Sequence, residues 1–100
     1  MPEDLPRLSS IEMLILDLLA QGRDMYGLEL VEASSGRIKR GTVYVTLYRM
    51  EQKGFVASHQ EARAQGAIGL PRRMYRATPL GSRVREVWAL ARRTLAWECA

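Results

Sequence analysis

Hydrophobic and polar residues alternate along the start of the chain with the period of a helix. Apolar residues at positions 11, 14, 15, 18 and 19 fall on one stripe of a helix over about residues 10–20. Residues 9–12, Ser-Ser-Ile-Glu, have the composition of a capping box, and Gly22 favours a helix end. The pattern therefore predicts a first amphipathic helix.

A second, shorter helix is predicted after a brief link. Asp24 is a suitable N-cap, and the helix is expected over about residues 25–34. Gly27 inside it costs roughly 1 kcal/mol relative to alanine. We therefore expect this glycine to allow close approach by another element. A basic link follows, with Ile38 as its one apolar anchor.

The third predicted helix covers residues 41–53 and has two distinct sides. Val43, Leu47 and Met50 recur at i, i+4 and i+7 and define a buried stripe. At about 100° per residue, the remaining positions form an opposite face and two shoulders. The side chains expected there are Thr42, Tyr44, Val45, Thr46, Tyr48, Arg49, Gln52 and Lys53.

The period changes after Gly54. Residues 55–60 and 73–77 are short and compatible with β-strands, and the stretch between them contains two glycines and a proline. We expect an antiparallel hairpin with a long basic loop. Thr78 then provides an N-cap, and Pro79 the first position of a fourth helix that runs nearly to the end of the chain.

Composition narrows the class of protein. The 100 residues are 47% hydrophobic and 26% charged, as expected for one globular domain. The single cysteine, the single histidine (His59) and the lack of a P-loop make an enzyme the least expected class. The chain start lacks the features of a signal peptide, and no apolar run is long enough to span a membrane. We therefore expect a cytoplasmic protein.

Charge is distributed unevenly along the chain. The net charge is +4, yet residues 1–36 carry seven acidic and two basic groups. Residues 37–78 carry nine basic and two acidic groups. A basic middle region favours a polyanionic partner, although charge alone leaves open a solvated surface with no partner.

The order helix, helix, helix, hairpin, helix predicts a mainly α fold with a small β-hairpin, the winged helix-turn-helix. A DNA major groove of ~12 Å admits one helix, which here is the third. Its hydroxyl groups can bond phosphates or bases, Val45 can contact a thymine methyl, and Arg49 can contact guanine or a phosphate. The acidic first helix is expected to face away from DNA. The predicted phosphate contacts are Arg37, Lys39, Arg40, Lys53, Arg72 and Arg73.

Four segments in order also carry a family resemblance. They are residues 16–20 with 25–30, residues 41–47, residues 49–56 and residues 72–81. Together they resemble the PadR family of bacterial transcriptional regulators over about residues 8–82. The resemblance implies a winged-helix homodimer, usually a repressor, that binds a palindromic operator and is often released by a small molecule. It implies neither catalysis nor a cofactor.

The resemblance also implies roles by position. Residues 41–44 open the family's recognition helix, Arg72 and Arg73 stand at the base of the wing, and Tyr75 corresponds to a structural aromatic residue. Val45 stands where many members have proline, and Met74 replaces the first tyrosine of a frequent pair, so altered groove contacts are expected. The short tail after Thr78 resembles the short-tailed branch of the family. The expected parts are an N-terminal extension (1–8), a DNA-binding domain (9–78) and a C-terminal dimerisation helix (79–100).

The fourth helix is the expected dimer contact, because its apolar positions exceed what one small domain can cover. These positions are Val84, Val87, Trp88, Ala91 and Leu95. Trp88 and Trp97 could stack a flat aromatic effector between subunits, and a core position is the alternative for at least one of them. The competing interpretation of the whole chain is a winged-helix module that binds an acidic protein and not DNA.

Overall fold

The described part of the chain forms four α-helices and one small antiparallel sheet of three strands. The computed structural model describes residues 6–62, 66 and 69–99, with residues 95–99 as helical backbone only. The mainly α winged-helix fold predicted from the sequence is confirmed. The elements are α1 (Ser10–Leu19), β1 (Met25–Tyr26), α2 (Gly27–Ala33), α3 (Arg40–Gln52), β2 (Val56–Gln60), β3 (Arg73–Ala77) and α4 (Pro79–Cys99).

The first helix begins at the predicted capping box. The backbone N–H of Glu12 donates to Ser9 Oγ at 3.1 Å, and the backbone N–H of Ser9 donates to Glu12 Oε1 at 2.9 Å. Two amides that a helix start leaves without partners are thereby satisfied. After the last turn the chain reverses at Gly22, whose φ is +87°. Both predicted ends of α1 are confirmed.

The sheet has the strand order β1-β3-β2, and both outer strands run antiparallel to the central one. In the hairpin, Val56 lies opposite Ala77. On the other side of β3, Met25 lies opposite Tyr75. The central strand therefore connects the hairpin to the link between α1 and α2.

The strand β1 departs from the prediction and moves the start of α2. The helix expected from residue 25 begins at Gly27. Met25 is buried in the core, and pairing with β3 gives its backbone groups hydrogen-bond partners there. The predicted N-cap at Asp24 was wrong, because Tyr26 is the N-cap of α2. The Asp24 carboxylate instead lies beside His59, with 3.3 Å between Oδ2 and Nε2.

The turn between α2 and α3 is held by one buried serine. Ser34 Oγ donates to the carbonyl of Val31 at 2.7 Å and accepts from the backbone N–H of Ile38 at 2.9 Å. Ile38 itself is fully buried, which confirms its predicted role as an anchor. Ser34 at one end of the turn and Ile38 at the other therefore determine the direction of α3 relative to α2.

One hydrophobic core joins these elements. The side chains come from α1, β1, α2, the turn, α3, the sheet and the first part of α4. They are Ile15, Leu16, Leu19, Met25, Leu30, Ile38, Val43, Leu47, Met50, Phe55, Val56, Tyr75 and Val84.

The start of α4 packs tightly against the chain segment before β2. Thr78 Oγ1 accepts from the backbone N–H of Gly81 at 3.0 Å, as its predicted capping role requires, and donates to the carbonyl of Gly54. A Cβ atom at Gly81 would overlap the backbone carbonyl of Phe55. This glycine therefore sets how closely α4 approaches the core.

Further along α4, two arginines contact the same carboxylate of α1. Arg85 Nε donates to Asp17 Oδ1 at 2.8 Å, and Arg92 Nη2 lies 3.9 Å from Asp17 Oδ2. The two arginines are seven residues apart, which is about two helical turns.

None of the helices in the described residues is both long and apolar enough to cross a bilayer.

Candidate functional site

The helix α3 separates a buried face from an exposed one. Val43, Leu47 and Met50 are completely buried, as their spacing predicts. On the other side, Val45 is 52% exposed and Tyr48 is 63% exposed. Large apolar and aromatic side chains exposed together on one face of a helix are typical of a binding surface.

The predicted site residues of α3 all lie at or near this surface. Thr42 and Thr46 make hydrogen bonds within the helix, because Thr42 Oγ1 donates to the carbonyl of Lys39 at 3.2 Å and Thr46 Oγ1 donates to the carbonyl of Thr42 at 2.9 Å. Thr46 is half-buried. The exposed members are Thr42, Tyr44, Val45, Tyr48, Arg49 and Gln52.

Basic residues surround the start of α3. Arg37, Lys39 and Arg40 are exposed, and Lys39 is the residue at the N-cap position. The ion pairs between described residues involve none of these three side chains. Their charges are therefore available to an anionic partner at the end of α3 that carries the positive helix dipole.

A cleft of about 510 Å³ lies between α2, the start of α3 and the start of β3. The guanidinium carbon of Arg72 lies 4.4 Å from the centre of the Tyr26 ring, a cation–π contact that holds the arginine at the wall of the cleft. Three guanidinium groups and one carboxylate give the cleft a positive charge. It is lined by Tyr26, Gly27, Leu28, Val31, Glu32, Arg40, Tyr44, Pro71, Arg72 and Arg73.

The close approach predicted for Gly27 occurs at this cleft. A Cβ atom on Gly27 would lie 2.6 Å from Cε1 of Tyr44. The glycine therefore leaves space that the tyrosine ring occupies. The predicted role of Gly27 as a point of close approach is confirmed, and its neighbour is a side chain of α3.

A hydrogen-bond chain joins α3 to the hairpin. Ser58 Oγ donates to Glu51 Oε2 at 2.6 Å, and Arg73 Nη1 donates to Ser58 Oγ at 2.9 Å. The sequence predicted Arg73 as a site residue but neither of its partners. Ser58 lies seven positions from Glu51 and fifteen from Arg73, and no sequence pattern predicts contacts at these separations. The contacts depend on how the hairpin packs on α3.

Lys53, one of the predicted phosphate contacts, forms an ion pair with α1. Its Nζ donates to Glu12 Oε2 at 2.8 Å. Burial by itself would raise the pKa of the Glu12 carboxyl, but the contacts with Lys53 and Ser9 outweigh it and hold that pKa below the ordinary 4.5. The Lys53 charge thus compensates a buried carboxylate of α1, and its predicted contact with phosphate stays a prediction.

The predicted dimer residues of α4 divide into buried and exposed groups. Val84 is 4% exposed and belongs to the core of its own chain, so its predicted role in a dimer contact is corrected. Trp88 and Ala91 are half-buried. Val87 is 43% exposed. Leu90, which the sequence analysis did not single out, is 59% exposed. The side chains of Leu95 and Trp97 lie outside the described residues.

Trp88 lies against the start of the chain. Its indole N–H donates to the carbonyl of Pro6 at 2.8 Å, and its ring packs beside the core. A cavity of about 290 Å³ adjoins it, lined by Leu8, Ser9, Ser10, Met13, Trp88 and Arg92.

Among the described side chains, no group of three histidine, cysteine, aspartate or glutamate residues could hold a metal ion.

The fold agrees with comparisons to known proteins. Residues 15–87 match the Transcriptional regulator PadR-like family. The chain is 29% identical to a PadR family transcriptional regulator from Eggerthella lenta, with a TM-score of 0.73 over 90% of this chain and 78% of that one. It is 26% identical to a PadR family transcription regulator from Clostridium difficile, with a TM-score of 0.71 over 92% of this chain and 100% of that one.

A third solved structure is Bacillus subtilis PadR in complex with operator DNA, which is 18% identical with a TM-score of 0.70. The match covers 81% of this chain and 48% of that one, so this chain spans about half of that relative. No curated protein matches. Because the family match covers most of the chain, this protein belongs to the PadR-like family of transcriptional regulators.

Proposed function

We propose that this protein is a sequence-specific DNA-binding repressor that acts in the cytoplasm as a homodimer on a palindromic operator. The observation that carries this proposal is the division of α3, whose apolar stripe is completely buried while Thr42, Val45 and Arg49 are exposed on its other side. A helix held in this way can enter a major groove without losing its packing. The operator complex of Bacillus subtilis PadR supports DNA as a ligand for this fold.

The charges around α3 favour phosphate contacts. Arg37, Lys39 and Arg40 flank one end of the helix, and Arg72 and Arg73 line the cleft beside it. Phosphate contacts provide most of the affinity of a DNA-binding protein, while base contacts provide its specificity. We therefore assign the basic residues to affinity and Thr42, Val45 and Arg49 to base recognition.

The exposed side of α4 supports the proposed homodimer. Val87 and Leu90 present apolar surface on a helix of 21 residues, which is about 31 Å long. A symmetric dimer reads two half-sites about one helical turn (~34 Å) apart, hence a palindrome. Such a dimer represses when its operator overlaps a promoter.

Selection of bound duplexes from a random pool tests the proposal most directly. We expect one enriched palindromic sequence and an affinity that falls steeply with added salt, since bound counterions are released. Arg49→Ala is expected to weaken binding to that sequence by about 1–3 kcal/mol. Arg83→Ala removes another exposed arginine, which lies on α4, and serves as the matched control.

Three results would count against DNA binding: no enriched duplex, a flat response to salt, or equal losses in Arg49→Ala and Arg83→Ala. An acidic protein that co-purifies with a chain that binds no duplex would favour the interaction-module alternative. A reporter gene placed behind the selected operator then separates repression from activation, and expression is expected to fall.

We further propose that a planar aromatic effector binds beside Trp88, where the 290 Å³ cavity meets Arg92. Bound there, it would lie between α1 and α4 and alter the packing of the helix that carries the dimer contact. Quenching of tryptophan fluorescence by planar aromatic compounds, lost in Trp88→Phe, is the expected signal. An absence of quenching across a panel of such compounds would reject an effector of this class.

A further inference from the structure

Three elements that are separate in sequence meet at the hydroxyl of Ser58. Glu51 comes from α3, Ser58 from the first strand of the hairpin and Arg73 from the second. The hydroxyl is 2.6 Å from Glu51 Oε2 and 2.9 Å from Arg73 Nη1. The carboxylate and the guanidinium are therefore joined through one serine and do not form a direct salt bridge of their own.

The number of protons fixes the direction of both bonds. A serine hydroxyl has one proton and two lone pairs, a carboxylate only accepts and a guanidinium only donates. Ser58 must therefore donate to Glu51 and accept from Arg73. Bonds to charged groups at both ends are stronger than neutral ones, and each polarises the other.

The chain of bonds ends at the candidate site. Arg73 lines the cleft together with Tyr44 and Arg40 of α3. Beneath the hydroxyl, Ser58 pairs with the buried Tyr75 across the sheet. The hydrogen-bond chain thus starts from a strand paired within the sheet and holds the Arg73 guanidinium near α3.

We propose that Ser58 and Glu51 are positioning residues for DNA binding, which hold Arg73 in place before DNA arrives. This inference rests on the proposed function. A long side chain that is already ordered loses less conformational freedom when it contacts a phosphate. The same bonds keep the distance from the hairpin to α3 constant, so that both reach DNA in one register.

A double-mutant cycle tests this role. Ser58→Ala is expected to lower affinity for the selected operator by about threefold to tenfold, the effect of ordering one long side chain. In an Arg73→Ala background, Ser58→Ala is expected to have no further effect on affinity, because the residue it positions is absent. Ser58→Thr keeps a hydroxyl and is expected to restore binding.

Two controls separate positioning from folding. Ser82→Ala removes an exposed serine from α4 and is expected to change nothing. Glu51→Gln leaves an acceptor for Ser58 without the charge, so we expect a smaller loss of affinity than in Ser58→Ala, with an unchanged melting temperature. This variant also provides the test if Ser58→Ala fails to fold.

Additive losses in Ser58→Ala and Arg73→Ala would overturn the positioning role while leaving DNA binding intact. An unchanged affinity in both Ser58→Ala and Glu51→Gln would do the same. A wild-type protein that binds no duplex would instead overturn the proposed function, and this inference with it.

Discussion

The ring of Tyr44 occupies the space that a side chain at Gly27 would need, since a Cβ there would lie 2.6 Å from Cε1 of the ring. This relationship joins the first residue of α2 to the exposed shoulder of α3. The ring is half exposed and can rotate away, so the contact restricts the position of Tyr44 more than it stabilises the fold.

Gly27→Ala is therefore expected to affect binding more than stability. The added methyl displaces the ring from the cleft, and we expect a loss of about 1 kcal/mol in operator affinity, the size of one hydrogen bond, with less than about 1 kcal/mol in unfolding free energy. Gel-shift titration and thermal unfolding measure the two quantities. In a Tyr44→Ala background the same substitution should be silent, and equal losses of affinity in both backgrounds would contradict this explanation.

Gly81→Ala is expected to behave in the opposite way. Its Cβ would overlap the backbone carbonyl of Phe55, which cannot rotate aside. We expect a loss of about 3 kcal/mol in unfolding free energy, the upper end of typical overpacking costs. Gly41→Ala is the matched control, because its Cβ meets nothing within 4 Å, and a gain of roughly 0.5–1 kcal/mol is expected. Similar denaturation midpoints for the two variants would refute the assigned contact.

The Glu12–Lys53 pair predicts how stability depends on pH. The folded-state pKa of Glu12 lies below its ordinary 4.5, so the pair stabilises the fold fully above pH 4.5. That contribution is lost as pH falls from 4.5 through the lower folded-state pKa. Unfolding free energies measured between pH 7 and 3 should fall less steeply in Glu12→Gln than in the wild type.

The two halves of this pair are not equivalent. Glu12 is buried and Lys53 is half exposed. Lys53→Met leaves a buried carboxylate without its counter-charge, whereas Glu12→Gln leaves an ammonium group that water can reach. At pH 7 we therefore expect Lys53→Met to lower the unfolding free energy more than Glu12→Gln does, by about 1 kcal/mol or more. If Glu12→Gln proved the more damaging, the ion pair would not be the reason that Lys53 lies there.

The contact between Arg72 and Tyr26 predicts a difference between two substitutions at the tyrosine. Tyr26→Phe keeps the ring under the guanidinium, whereas Tyr26→Leu removes it. A cation–π contact at such a site is worth about 0.5–1 kcal/mol, so Tyr26→Leu should weaken operator binding roughly twofold to fivefold and Tyr26→Phe should not. Equal affinities of the two variants, measured by fluorescence anisotropy, would exclude a role for the stacked ring.

One substitution made at two valines separates dimer formation from DNA binding. Val87→Asp introduces a charge on the exposed side of α4 and is expected to give a monomer by light scattering. Val45→Asp introduces the same charge on α3 and should leave a dimer that no longer binds its operator, because the carboxylate faces phosphates. If Val87→Asp remained a dimer, this side of α4 would not be the interface. Leu95→Asp would then test whether the end of the helix forms it.

The parts of the fold predicted from sequence are those with a local signal. The helix α3 has an unbroken stripe of apolar residues, and α1 begins with a capping box, so both were predicted within a residue or two. The strand β1 was missed because two residues are too few for a period, and its existence depends on β3, which lies almost fifty residues further along.

The candidate site was predicted by residue type, because the sequence does not show where each side chain lies. Basic residues near α3 were grouped by charge, and sequence gave no means of separating Lys53, which faces a carboxylate 41 positions away, from Arg73, which lines the cleft. Likewise the sequence placed Val84 among the dimer residues and did not single out Leu90. Only the packing of α4 on the core shows that the first is buried and the second exposed.

The attachment of α4 to α1 through Asp17 has a consequence for operator geometry. In a homodimer joined by α4, the angle between that helix and each DNA-binding body determines how far apart the two copies of α3 lie. Arg85 and Arg92 both meet α1 at this one aspartate, two turns apart. If the proposed homodimer forms through α4, the half-site spacing that it accepts depends on the Asp17 carboxylate. We therefore expect variants at Asp17 to change the preferred spacing of the operator half-sites.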